Sequence, residues 1–145
     1  MKDYKYLIVP FATLFICQLI KFIIESIKCK KLKWGRLFNG TGGMPSSHTS
    51  FTFSCVFMIA KYVGITSPLF AVSLVFSLIV AYDSMGLRME SGKQAEAINI
   101  LLDEVFESKE GFSHLKESLG HKPFEVLMGI VLALIISIIS NVLIF

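Results

Sequence analysis

Two histidines occupy the segments where glycine, proline and polar residues interrupt long apolar runs. The first segment reads GGMPSSHTS over residues 42–50 and ends around His48. Gly42 and Gly43 permit backbone conformations that point successive N–H groups at one spot. Ser46 and Ser47 add hydroxyl donors, and Thr49 or Ser50 would cap a helix beginning here. A helix N-terminus contributes partial positive charge, which suits an anion, most obviously phosphate. His48 would supply a proton, its intrinsic pKa being about 6.5. The same composition also fits an ordinary loop that caps a helix.

The second segment is LGHKPFEVLMG, residues 119–129. Pro123 suits the first turn of a final helix, which places His121 at or just before its start. Glu125 follows four residues later. A carboxylate there accepts from one imidazole nitrogen and fixes the tautomer, leaving the other nitrogen as nucleophile or ligand. The bland alternative is an interfacial histidine beside a helix-capping glutamate. A third segment, YDSMGLRMESGKQAEAIN (82–99), carries Asp83, Arg88 and Lys93. Arg88 can clamp a phosphate with two parallel hydrogen bonds. Charged runs of this kind are also common as solvated turns.

The elements that must position these groups are apolar. The chain has 145 residues, 54% of them hydrophobic, and a mean hydropathy of +0.67. This length suggests one domain, residues 1–145. Four blocks stand out: Leu7–Ile24, Thr49–Ile65, Ile65–Tyr82 and Val126–Phe145. A membrane-spanning helix needs roughly 17–25 mostly apolar residues. The expectation is an all-α integral membrane bundle of about four transmembrane helices; the alternative is a soluble bundle with very apolar core helices. Lys21 and Lys61 lie near the ends of their blocks, where long side chains snorkel to the interface. The first block lacks a small-residue cleavage site and reads as a retained helix.

Basic residues orient the bundle. Lys28, Lys30, Lys31, Lys33 and Arg36 follow the first block; Arg88, Lys93, Lys109, Lys116 and Lys122 lie between the third and fourth. With four spans both loops share one side, and the positive-inside rule makes that side cytoplasmic. The setting expected is the cell membrane. The link through Gly64 and Pro68 is short, so the second and third helices are antiparallel neighbours and His48 comes near the Tyr82–Asp83 end.

Within Asp83–Phe124, the residues Ile98, Leu101, Leu102 and Val105 follow i, i+3, i+4, i+7 and predict an amphipathic helix. Its apolar stripe would pack on the bundle or on a second subunit, as in a homo-oligomer. Cys17, Cys29 and Cys55 show no disulfide or zinc spacing. The histidines lack the paired spacing of a metal motif, so no metal site is assigned. The net charge of +3 follows from topology and does not call for nucleic acid.

These segments resemble a known family. PSSH at 45–48 is similar to the P-S-G-H motif of the type 2 phosphatidic-acid phosphatase superfamily, which includes the vanadium haloperoxidases. GHKPFEVLMG at 120–129 resembles its G-H-x-x-x-D-V-x-x-G motif, with Glu125 in place of aspartate. GGMPSSH, YDSMGLR…GKQAE and LGHKPFEV together resemble the small divergent branch of that superfamily. The resemblance implies that His121 attacks phosphorus, Glu125 orients it and His48 protonates the leaving alkoxide. The two histidines would then need different protonation states, which their different neighbours can supply. Ser46, Ser47 and backbone N–H groups, Gly43 included, would hold the equatorial oxygens. It implies no metal or other cofactor, though phosphate or vanadate could occupy the site. Two departures stand out. The superfamily's lysine followed after six residues by Arg-Pro is not found in Lys28–Arg36, and its Ser-Arg before the nucleophile is replaced by His114 and Leu115. Arg88 and Lys93, beside Asp83, would supply the cations, with Arg36 in reserve.

Two functions follow as expectations. One is a membrane phosphatase hydrolysing a lipid phosphate or diphosphate through a phosphohistidine, with membrane lipids around it. The other is a non-catalytic protein that binds or transports a phosphorylated lipid. A structural or assembly role is a third.

Overall fold

The computed structural model describes residues 4–32, 34, 42–105, 113–115, 117 and 120–143. Five helices follow in order: α1 (Lys5–Cys29), α2 (Ser47–Tyr62), α3 (Pro68–Met85), α4 (Leu87–Val105) and α5 (Pro123–Leu143). Helix α2 is the hub, packing against α1, α3 and α5. Gly64 turns the chain with a φ of 105°, after which Ser67 caps α3 through the amide of Phe70 at 3.2 Å. Helices α2 and α3 pack together across this short link, as its length requires.

Burial follows the logic of a lipid-immersed bundle. Lipid tails are as apolar as leucine, so helices associate through close packing of small residues. The buried positions are correspondingly small or hydroxylated: Thr13 and Cys17 on α1, Ser50 and Ser54 on α2, Ala133, Ser137 and Ser140 on α5. Large apolar side chains point outward, among them Phe15, Val72, Phe76, Ile79, Leu134 and Ile138. A soluble bundle would bury these side chains. Two clusters of larger residues fill the remaining interior. Phe53, Ala81, Val126 and Ala133 form one, and Val9, Met58 and Ile136 form the other. Tyr6 and Tyr62 meet edge to face at 6.3 Å, with Lys5 over the Tyr62 ring. They tie the start of α1 to the end of α2, so these two helices run antiparallel.

Three helical runs among the described residues are long and apolar enough to cross a membrane: Lys5–Cys29, Pro68–Glu104 and Pro123–Val142. The expected fourth, α2, has 16 residues. At 1.5 Å per residue that is about 24 Å, short of a hydrocarbon core of about 30 Å. It is short because its N-terminus stops inside the bundle, where the 42–46 turn takes over.

One expectation is corrected and another is narrowed. Lys21 does not snorkel; it is 3% exposed. Of the two placements expected for the apolar stripe of α4, packing on the bundle is not seen at Ile98 and Leu101, which leaves the second-subunit placement. Ile98 and Leu101 are exposed, and α4 instead buries Gly92, Ala95 and Asn99. Small side chains and a hydrogen-bonding amide, rather than the largest apolar groups, decide which face turns inward.

Candidate active site

Ser46, not Thr49 or Ser50, caps α2. Its Oγ accepts from the Thr49 amide at 3.4 Å and lies 2.9 Å from Thr49 Oγ1. Ser46 is fully buried, and its hydroxyl oxygen accepts at the helix cap. Gly42 and Gly43 carry φ of 74° and 80°, the left-handed region that favours glycine. The Ser46 amide donates to the Glu125 carbonyl at 2.9 Å, which locks the 42–48 segment onto the start of α5.

The α5 start is built around Glu125. Its Oε2 accepts from the Lys122 amide at 3.3 Å, the backward half of a capping box. The same oxygen lies 2.9 Å from His121 Nδ1. One carboxylate therefore caps the helix and holds the imidazole. His121 is 3% exposed, and its amide donates to the Ser84 carbonyl at 2.9 Å, fixing it to the end of α3. With Nδ1 committed, Nε2 is the nitrogen left for chemistry.

Glycines set the spacing around this pair. A Cβ on Gly129 would lie 2.8 Å from the Ser46 carbonyl oxygen and 3.2 Å from Thr49 Cβ. A Cβ on Gly120 would lie 2.6 Å from Met89 Cα. The 119–129 segment can approach the start of α2 and α4 this closely only because no side chain intervenes.

Two cavities of about 260 Å³ flank Gly43 and Glu125, which line both. One is completed by His121, Lys93, Glu96, Glu117 and Lys122, among others. The other is bounded by Lys21, Lys28, Glu25, Ile24 and Met44. Lys21 Nζ lies 3.3 Å from both the Gly42 carbonyl oxygen and Ser47 Oγ.

Lys21 is a buried cation beside this segment that sequence reading had assigned to the membrane interface. A lysine inside an apolar span is a functional candidate by default because its burial costs several kcal/mol. Lys21 also precedes Lys28 by seven residues, the superfamily's lysine-to-arginine spacing, with lysine replacing the arginine and Cys29 the proline. This pair lies earlier in the chain than Lys28–Arg36, where the motif was not found.

The expected cations are differently placed. Arg88 pairs with Asp83 at 2.9 Å, and Lys93 with Glu90 at 2.7 Å; all four are substantially exposed. Lys93 nonetheless lines the His121 cavity. Arg36 lies outside the described residues. His48 is exposed at the second position of α2.

Charges tie these groups together. Burial holds the His121 imidazole below its ordinary pKa; the hydrogen bond to Glu125 opposes this, while Lys21 and Arg88 add to it. Partial desolvation likewise lowers His48, helped by Arg88, His121 and Lys21 and opposed by Asp83. Different protonation states were expected of the two histidines. Both shifts run toward the neutral form, with Glu125 opposing the shift at His121 and Asp83 opposing it at His48.

The chain is 39% identical over 142 residues to an uncharacterized membrane protein of Bacillus subtilis (strain 168), YuiD, across 87% of this chain and 89% of the relative. No solved structure gives a significant match. Apolar helices and this relative make it an integral membrane protein. Residues 3–136 match the sequence family described as the Divergent PAP2 family, and to that family the chain belongs.

Proposed function

We propose that this protein is a metal-independent phosphatase acting on a lipid phosphate or diphosphate, by way of a phosphohistidine. The observation that carries the reading is the His121 Nδ1 to Glu125 Oε2 contact of 2.9 Å, at a buried helix start bordering a lysine-lined cavity. His121 Nε2 attacks phosphorus, forming an N–P bond as the P–O bond to the lipid breaks. Protonated His48 gives its proton to the leaving oxygen. Water then attacks the phosphohistidine while His48 takes its proton, releasing phosphate and restoring His121. Glu125 stabilises the imidazolium character that develops. Lys21, Ser47, Lys28, Lys93 and backbone N–H groups around Gly43 offset the charge on the equatorial oxygens, Arg88 adding to their field. Asp83 acts through Arg88. The helices keep the lipid tail in the bilayer while its head group meets His121. The site faces the cytoplasm of the cell membrane on the charge distribution of the loops.

The test is phosphate release by purified protein in detergent across several lipid phosphates. Release that disappears in His121→Ala and in His48→Ala, with acid-labile labelling at His121, supports the reading. Absence of release from every substrate, with lipid binding retained, favours the second one. That second reading, a protein that binds or moves a phosphorylated lipid, draws on the pairing of Arg88 with Asp83 and Lys93 with Glu90.

A further inference from the structure

The residues standing where the superfamily has its Ser-Arg are His114 and Leu115, and neither lines the His121 cavity. They are instead fastened to α4. Asn99 is 4% exposed and uses both ends of its amide on this segment. Its Oδ1 accepts from the Leu115 amide at 2.8 Å, and its Nδ2 donates to the Leu115 carbonyl at 2.9 Å. Nδ2 also donates to Glu117 Oε1 at 2.8 Å. One turn further along, His114 and Asp103 pair at 3.2 Å, but both are exposed and such pairs contribute little.

The position of α4 matters to the site. Met89, Gly92, Lys93 and Glu96 of α4 line the His121 cavity together with Glu117 and Gly120. Among the described helices α4 packs only against α3. A second hold comes from the residues leading to His121: Leu115 and Glu117 are gripped by Asn99, and Gly120 touches Met89. A buried amide with three short hydrogen bonds has one low-energy arrangement, since each unmade bond would leave a buried polar group unsatisfied.

We infer that Asn99 is a positioning residue for His121: it buckles the nucleophile's segment to α4 and so holds Lys93, Glu96 and Glu117 opposite the imidazole. The inference rests on the phosphatase reading. Asn99 does not touch the reacting atoms. Its effect is on where they stand, and a misplacement of about 1 Å costs on the order of 10²-fold in rate.

The experiment compares Asn99→Leu, Asn99→Asp and the double variant Asn99→Asp/Glu117→Gln with the parent in detergent. It reads kcat and KM for a short-chain lipid phosphate, the thermal melt, and the ¹⁵N resonances of the His121 ring. Asn99→Leu is expected to melt cooperatively, lose about 10²-fold in kcat and keep KM within about threefold, with the His121 Nδ1 signal displaced. Asn99→Asp loses activity because two carboxylates then face each other. The double variant regains part of the loss, since a glutamine amide at position 117 can donate to the carboxylate introduced at position 99. His114→Ala, which removes the exposed pair, stays at parental activity. Parental kcat and unchanged His121 resonances in Asn99→Leu would overturn the inference. If Asn99→Leu does not fold, the Asp variant and its partial recovery decide. If the parent releases no phosphate, the phosphatase reading falls, and displacement of the His121 resonances alone decides whether Asn99 positions it.

Discussion

The ammonium of Lys21 lies 3.3 Å from the hydroxyl of Ser47, joining the middle of α1 to the first residue of α2. A charge at this depth is held by the Gly42 carbonyl and by the same serine, which sits one residue before His48. Burying an ammonium group is costly unless polar partners of this kind surround it. An incoming phosphate would take over the attraction.

Replacing Lys21 with methionine, which matches its length without its charge, tests that role. The bundle is expected to assemble, because methionine fills irregular apolar space. Phosphate release should fall by roughly 10²- to 10³-fold in kcat/KM, the scale for losing one transition-state charge partner. Arginine should not restore it, since the planar guanidinium does not fit a site built for a compact ammonium. Unchanged kcat/KM in Lys21→Met would remove Lys21 from the anion site.

Glu125→Gln separates orientation from helix capping. Glutamine still accepts from the Lys122 amide, so α5 should retain its start and the thermal midpoint should move little. The amide cannot stabilise an imidazolium, and kcat is expected to drop on the order of 10²- to 10⁴-fold, the usual contribution of a positioned acid-base pair. A large loss of thermal stability with little change in kcat would assign Glu125 to capping alone.

The pH dependence follows from both imidazoles being held below the ordinary histidine value of about 6.5. His121 must be neutral to attack, so activity falls as pH drops through its lowered pKa. His48 must be protonated to assist departure, so activity falls as pH rises through its own lowered pKa. The profile of kcat/KM, which reports the free enzyme, is expected to peak on the acid side of 6.5. A maximum well above pH 7 would contradict these assignments.

The same lowering of His121 has a consequence for stability. Between its folded and unfolded pKa values the unfolded chain binds more protons, so this group's contribution is intact above about pH 6.5 and is lost as pH falls below it. Thermal melts in detergent from pH 8 to 5 should show a decline beginning near 6.5 that is smaller in His121→Gln. Equal slopes in the two proteins would refute it.

Gly129→Ala probes the contact between the two motif segments. The added methyl would meet the Ser46 carbonyl at 2.8 Å, and backbone cannot step aside as a flexible side chain would. Overpacking of this kind costs about 1–3 kcal/mol. The expected result is a lowered thermal midpoint together with lost activity, because displacing Ser46 displaces His48. An unaltered melting curve would mean that the two helices separate more easily than their packing indicates.

How much was legible beforehand depends on whether a property is local. The all-helical membrane architecture, the α5 start at Pro123 and the pairing of Glu125 with His121 all reside in apolar run length or in residues a few positions apart. Local spacing therefore suffices to read them. The chemistry-bearing segments were also legible, because glycine, proline and histidine stand out in an apolar chain. Which cations lie beside these segments was not. Lys21 looked like an interfacial lysine, since a side chain's depth depends on where neighbouring helices end. Helix α2 stops short, so the 42–47 turn lies beside Lys21 and supplies its partners. Likewise, the inward face of α4 could not be read from its apolar stripe. Periodicity identifies a face, but only the positions of Leu115 and Glu117 bring partners to Asn99. Hydrophobic pattern and residue type are properties of the chain itself; the depth of a charge and the partner of an amide exist only once distant segments meet.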